Sequence, residues 1–307
     1  MTTDFRPVLL MLASTFSLSL NGLLAKWLTD SFSIETLGFL RFILPAVFML
    51  AMLKVSGWVV PARSHWRSIT LRSLCIIGSQ ICFLIALNTL TLIESVVLFS
   101  TGPLFIPLLE KMIFKTPVRP LTLACLAITF VGVLLQAESS QGINIRPELL
   151  VGLAAGFFNA CSQLTLFRGS KSQLPATALN GWCFLMAGLF MLPLALADVW
   201  RHGLPELAIT APENLALLFL LLLAVSTTNT QLCRAKAYQY AQTGSQLAPL
   251  IYTNLAFALI WQLSFFEQQL HGHQISGIAL IIIATVLNTF GPGWLQALRH
   301  RRPTAHP

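Results

Sequence analysis

Most of this chain is divided into apolar runs long enough to cross a bilayer, and that property removes almost every fold from consideration. The runs cover residues 7–27, 34–54, 69–87, 92–114, 121–136, 149–167, 176–197, 215–233, 245–266 and 275–290. A helix needs roughly 17–25 apolar residues to span a hydrocarbon core. That core holds no water, so every backbone N–H and C=O must pair within the chain, which leaves helices or a closed barrel. Barrel strands alternate polar and apolar residues, and these runs do not. An all-α integral membrane protein of ten transmembrane helices follows as the expected fold. Only 10% of the residues are charged, against about a quarter in soluble domains, and they collect between the runs. The first run has no small-residue cleavage site behind it, so it reads as a retained span and not a signal peptide.

The charges between the runs set the orientation. With ten spans, fifteen Lys and Arg, Arg72 and Arg234 among them, fall on the side of the N-terminus, and three (Lys26, Arg146 and Arg201) fall on the other. Basic loops stay in the cytoplasm, so both termini are expected there, in a cell inner membrane. The net charge of +8 then belongs to loops beside anionic lipid and calls for no nucleic acid. The lipid bilayer is the expected surrounding partner, and the chain is expected to work as a monomer or homodimer.

The two halves of the chain echo each other. Residues 79–82 read Ser-Gln-Ile-Cys and residues 230–233 read Thr-Gln-Leu-Cys, 151 positions apart. Each copy lies in the third run of its half. A duplication with five spans per half must enter the membrane from opposite sides in its two copies. The expected architecture is therefore two inverted repeats about a pseudo-two-fold axis in the membrane plane. The first repeat covers residues 1–137, a linker 138–147, the second repeat 148–291, and a basic cytoplasmic tail 292–307.

Polar residues inside the spans are the candidate binding groups. Arg41 lies about seven residues into the second span, roughly 10 Å deep at ~1.5 Å per residue. A guanidinium at that depth costs on the order of 2.5–3.5 kcal/mol to insert, and its fork suits a carboxylate or phosphate. The alternative is a structural arginine paired with helix carbonyls or Glu35. Gln80 and Gln231 are the repeated pair, placed by the pseudo-symmetry on facing cavity walls, where an amide offers donors and acceptors without a charge. Asn21, Asn159, Tyr252 and Asn254 add mid-span hydrogen-bonding groups, and Trp182 and Trp261 are candidate apolar walls. Asn180, Gln163 and Asn229 are also mid-span. Interhelical hydrogen bonding is the competing account for each of these. Lys26 and Asp30 are expected to form a surface pair, and Glu94 a rim charge at the start of the fourth span.

Catalytic constellations are missing. No acid–histidine pair sits in a span, and there is no nucleophile elbow and no phosphate-binding Gly-rich loop with a lysine. The six cysteines lie in apolar segments without metal-ligand spacing. No enzyme activity, cofactor or metal is expected.

With these residues in view the chain resembles the drug/metabolite transporter superfamily, in its ten-helix branch with two EamA-type repeats. The resemblance rests on residues 21–26 closing the first span, Leu40-Arg41-Phe42, Ala86-Leu87, Thr101-Gly102-Pro103 and Gly132-Val133. In the second half it rests on Ala248-Pro249 and Phe266-Glu267. It implies alternating access between two five-helix units. Spans one, three, four, six, eight and nine would line the cavity, and spans five and ten would pack peripherally. The expected activity is secondary transport of small polar, amino-acid-like metabolites, with export the expected direction. Small multidrug relatives use a glutamate in their first span; this chain has Asn21 there, so that proton mechanism does not carry over. Two alternatives stay open: an uptake carrier for a bulkier, riboflavin-like cofactor or vitamin, suggested by residues 248–256, and a passive channel.

Overall fold

The computed structural model describes residues 6–114, 120–139, 142–143, 147–172, 174–203, 213–240, 248–251, 253–266, 272, 275–284 and 286–287. The first half contains α1 (Arg6–Leu28), α2 (Ile34–Ser56), α3 (Arg63–Thr89), α4 (Leu92–Phe99), α5 (Gly102–Phe114) and α6 (Pro120–Ala137). A two-residue antiparallel pairing, β1 (Glu138–Ser139) with β2 (Gly142–Ile143), leads to the second half. That half contains α7 (Pro147–Ser170), α8 (Ala176–His202), α9 (Glu213–Tyr240), α10 (Ala248–Ile251), α11 (Thr253–Phe265) and α12 (Ile275–Ala284). Six of these, α1, α2, α3, α7, α8 and α9, are long and apolar enough to cross a membrane. Leu217, Leu218, Leu221, Leu222 and Val225 lie exposed along α9, as do Leu189, Phe190, Leu194 and Leu196 along α8. An apolar surface of that extent is what lipid contact requires.

Several helices run beyond the apolar stretches that announced them. α3 begins at Arg63, α8 continues to His202, and α9 continues to Tyr240. Apolar length measures what lies in hydrocarbon, whereas Arg, Lys and Gln are good helix formers and carry a helix further. α8 stops where Gly203 turns to φ 82°, its N–H still bonded to the Val199 carbonyl at 2.9 Å. A glycine adopts that backbone without the Cβ penalty.

The run expected to form the fourth span, residues 92–114, is not one helix. α4 ends at Phe99, and the chain passes through Ser100 and Thr101 before α5 starts at Gly102. Pro103 cannot donate a backbone N–H, so a bond of the continuing helix is lost at this point. The Leu98 carbonyl accepts both the Thr101 N–H at 3.2 Å and the Thr101 hydroxyl at 2.7 Å, which closes the turn at the break locally. The start of α4 is fixed by a capping box. The Thr91 N–H donates to Glu94 at 2.9 Å, and the Glu94 N–H donates to the Thr91 hydroxyl at 3.2 Å. Glu94 is buried, 1% exposed, and is not a rim charge.

Packing interleaves the two halves. α1 lies against α9 and α3 against α7; α2 lies against α8; α4 and α5 lie against α7, and α10 and α11 against α1; α2 meets α9 and α3 meets α8. Counting spans within each half, these pairings are unchanged when the halves are exchanged. Hydroxyls join the helices: Ser14 donates to the Thr230 carbonyl at 2.9 Å, Ser226 to the Ser17 carbonyl at 2.8 Å, and Ser79 to the Ala155 carbonyl at 3.0 Å. Small hydroxylated residues allow close approach and still find an acceptor.

Lys26 does not simply pair with Asp30 at the surface. Its ammonium donates to the carbonyls of Leu87 and Leu90, the latter at 2.9 Å. It thereby closes the C-terminus of α3, the end of a helix that favours a cation. Lys26→Met should destabilise the fold by about 1–2 kcal/mol, the worth of charged hydrogen bonds at a helix end. The measurement is the melting temperature in detergent; an unchanged value would mean the contact contributes nothing.

Candidate functional site

α9 carries Thr227, Thr230, Gln231 and Arg234 on one face, at the i, i+3, i+4, i+7 spacing that forms a stripe. α7 repeats that spacing with Asn159, Ser162, Gln163 and Leu166, and α3 begins it with Ile76, Ser79 and Gln80. These three stripes, with Leu18 and Asn21 of α1, Arg41 and Phe42 of α2, Phe99 of α4 and Phe184 of α8, enclose one cavity of about 50 Å³. That holds a few waters, since one needs roughly 10–15 Å³ by this measure. The duplicated tetrapeptide explains itself here. Its first two positions, Ser79-Gln80 and Thr230-Gln231, line the cavity from both halves, and its last two face elsewhere.

The polar groups of the site are incompletely matched with one another. Asn21 donates to the Thr230 hydroxyl at 3.5 Å, and its own carbonyl oxygen is buried without a partner. The Gln80 carbonyl oxygen and Arg41 Nη1 are also buried without a partner. Arg41 is 6% exposed, so it neither snorkels outward nor pairs with Glu35, which lies at the other edge of the bundle beside Asp198.

Below the cavity, toward the Arg63 end of α3, a second layer crosses between the halves. Arg72 donates from Nη2 to the side-chain oxygens of Asn180 at 2.8 Å and Gln231 at 3.2 Å. Within the second half, the Tyr238 hydroxyl donates to Gln163 at 3.3 Å. Arg72 and Arg234 are 2% and 3% exposed. They were counted with the cytoplasmic loop charges; Arg72 stands three residues inside the run 69–87 and Arg234 one residue beyond the run 215–233, and both lie well within helices because α3 starts earlier and α9 ends later than those runs. The remaining Lys and Arg still favour the N-terminal side, thirteen to three.

Asn21, Arg41, Gln80, Asn159 and Gln231 thus meet at one cavity. Trp182 and Trp261 do not line it. The Trp182 indole donates to the Val59 carbonyl at 3.0 Å and packs with Trp58 and Trp66. The Trp261 indole donates to Ser19 at 3.1 Å and packs with Phe16. Asn254 is buried, 2% exposed, away from the cavity lining. Tyr252 lies outside the described residues. Arg234, Arg72, Gln163 and Thr230 complete the arrangement. Arg234 was findable: it stands three residues after Gln231, on the same helical face.

The break in the fourth span is held against this cavity by α7. Gly152 and Gly156 lie four residues apart on the face that meets α4 and α5. A Cβ at Gly156 would stand 2.5 Å from Thr101 Oγ1 and 2.7 Å from the Leu98 carbonyl oxygen, and one at Gly152 would stand 2.7 Å from Leu98. A Cβ at Gly102 would reach 3.2 Å from Asn159 Nδ2. Close backbone approach of this kind needs glycine. Discontinuous helices at a repeat interface are where carriers place their sites.

Three comparisons bear on the chain. The model of the EamA-like transporter family matches residues 5–137 and 146–290. A search of curated proteins gives no match. Among solved structures, a chain described only as "Crystal structure of protein" is similar, with a TM-score of 0.59 and 18% identity, covering 92% of this chain and 97% of that one. At that identity the likeness concerns the fold alone.

Proposed function

This chain belongs to the EamA-like transporter family, and we propose that it is a secondary carrier of small polar metabolites bearing an acidic group, working by alternating access. It is a multi-pass membrane transporter of the drug/metabolite type. In this reading ten spans form two inverted five-helix repeats with both termini in the cytoplasm, in the cell inner membrane. The exchange symmetry of the helix contacts supports the inverted arrangement, and the thirteen-to-three charge bias supports the orientation.

One observation carries the proposal: a polar cavity between the halves receives the same Gln from each of them. Arg41 would hold the acidic group, and Gln80, Gln231, Asn21 and Asn159 would hydrogen-bond the rest. The Arg72 bonds to Asn180 and Gln231 cross from the first half to the second, so they would break and re-form as the cavity changes its facing. The small volume supports a carrier over a passive channel, whose pore would run the length of the bundle.

The test offers a metabolite extract to proteoliposomes of the purified protein and follows which compounds enter. A carrier gives saturable uptake and counterflow; flux linear in concentration would establish the channel instead. Gln80→Ala and Gln231→Ala should each raise the KM about fivefold, the worth of one hydrogen bond near 1 kcal/mol. Gln231→Ala should also lower the melting temperature, because Arg72 then loses an acceptor.

A further inference from the structure

Three guanidinium groups lie inside this bundle with no carboxylate of the described residues beside them. Arg41, Arg72 and Arg234 are each at most 6% exposed. Each leaves nitrogen buried without a partner: Nη1 of Arg41, Nε and Nη1 of Arg72, Nε and Nη2 of Arg234. The bonds Arg72 does make end on neutral amide oxygens, which satisfy a donor but cancel no charge. Among the described residues that line the cavity, none is Asp or Glu. Glu94 is engaged at the start of α4, and Asp198 bonds Ser33, Thr36 and His202 where α2 and α8 meet at the opposite end.

Buried charges are normally paired, and an ionisable group within a membrane marks a functional path. Three cations kept together with no carboxylate of the described residues among them are arranged to receive an anion from outside. Arg41 and Arg234 both reach the cavity wall, from α2 and α9. A guanidinium fork meets carboxylate or phosphate oxygens two at a time. A zwitterionic amino acid would bring its ammonium into a cavity that already holds two cations and offers it no acid.

We propose that the cavity takes a small organic anion carrying two negative charges, a dicarboxylate or a phosphate monoester, between Arg41 and Arg234, and that the carrier changes its facing only with that anion aboard. This rests on the carrier reading above. The second clause follows from the first. Closing the cavity on unneutralised guanidinium groups strips them of water without replacing it by a counter-charge. The loaded carrier closes readily and the empty one does not, so the protein exchanges one anion for another.

Succinate and glycerol 3-phosphate are the two dianion probes, with lactate as a monoanion and alanine as a zwitterion. At least one dianion should enter vesicles preloaded with the same unlabelled compound at least tenfold faster than it enters empty vesicles. Lactate and alanine should enter poorly and compete poorly. Whichever dianion is preferred identifies the carboxylate or the phosphoryl source. Arg234→Gln should weaken the apparent affinity for that dianion about tenfold or more, and Arg234→Lys should recover part of it. Should Arg234→Gln not accumulate, melting of the wild-type protein decides: a rise with the dianion and none with alanine supports the proposal, and the reverse overturns it. Uptake of alanine or lactate as fast as of either dianion overturns it, as do equal rates into empty and loaded vesicles, and the carrier reading survives both. Absence of saturable uptake for every compound in a metabolite extract defeats the carrier reading itself.

Discussion

Arg41→Ala is expected to cut kcat/KM for transport by 10- to 100-fold while leaving the melting temperature unchanged or higher. The two halves of this expectation come from one observation. The Arg41 side chain is buried in α2 with Nη1 unpartnered and no carboxylate among the described residues of the cavity it lines. A hydrogen bond from a charged donor to a bound acid contributes about 1.5–3 kcal/mol, which is the stated range of rate loss. The folded state does not depend on Arg41 in the same way. Removing one partner of a buried pair strands the other and costs several kcal/mol, but removing an unpaired charge relieves its desolvation. A structural arginine would behave oppositely, with melting lowered and the transport of surviving protein near normal. Uptake per folded molecule in proteoliposomes, read beside the melting curve, separates the two. Arg41→Lys should fall between, since it keeps the charge and loses the bidentate fork.

The parts of this architecture governed by apolar length were readable in advance, and the parts governed by helix ends were not. Residues 34–54 anticipate α2 within two residues at its C-terminus, because lipid demands the same apolar length wherever a helix crosses. The stripe on α9 was cut short at Cys233 because a basic residue normally marks the edge of a span. Arg234 breaks that rule by lying inside, on the spacing that Thr227, Thr230 and Gln231 had already set. Arg72, three residues into the run 69–87, was counted with the edge charges for the same reason. The tryptophans failed differently. An indole is an apolar wall and a hydrogen-bond donor at once, and in Trp182 and Trp261 the donor found Val59 and Ser19 away from the cavity. The sequence contains no sign of which acceptor is near. Gln80 and Gln231 were legible because the duplication marked them twice.

Gly156→Ala should be strongly damaging for a single added methyl group, since its contact is the shortest among the described glycines. Its Cβ would stand 2.5 Å from Thr101 Oγ1 and 2.7 Å from the Leu98 carbonyl oxygen, well inside contact distance. The carbonyl belongs to the last turn of α4 and cannot rotate away, so α7 and the broken span must separate. Overpacking of this kind costs about 1–3 kcal/mol, and separation also displaces Phe99 and Asn159 from the cavity they line. Both the folded fraction by size exclusion and transport per folded molecule should therefore fall. Gly22→Ala is the matched control: its Cβ would meet only side-chain methyl groups, of Leu92 at 3.4 Å and Val96 at 3.6 Å, and the variant should fold as the wild type does. Thr101→Ala added to Gly156→Ala removes the nearer obstacle and leaves the carbonyl, so it should restore part of the loss, a coupling that a double-mutant cycle reads directly. Equal behaviour of Gly156→Ala and Gly22→Ala would mean that α7 does not hold the break in place. The cavity would then depend on the stripes of α3, α7 and α9 alone, and the interruption at Ser100 and Thr101 would need a different cause than close packing.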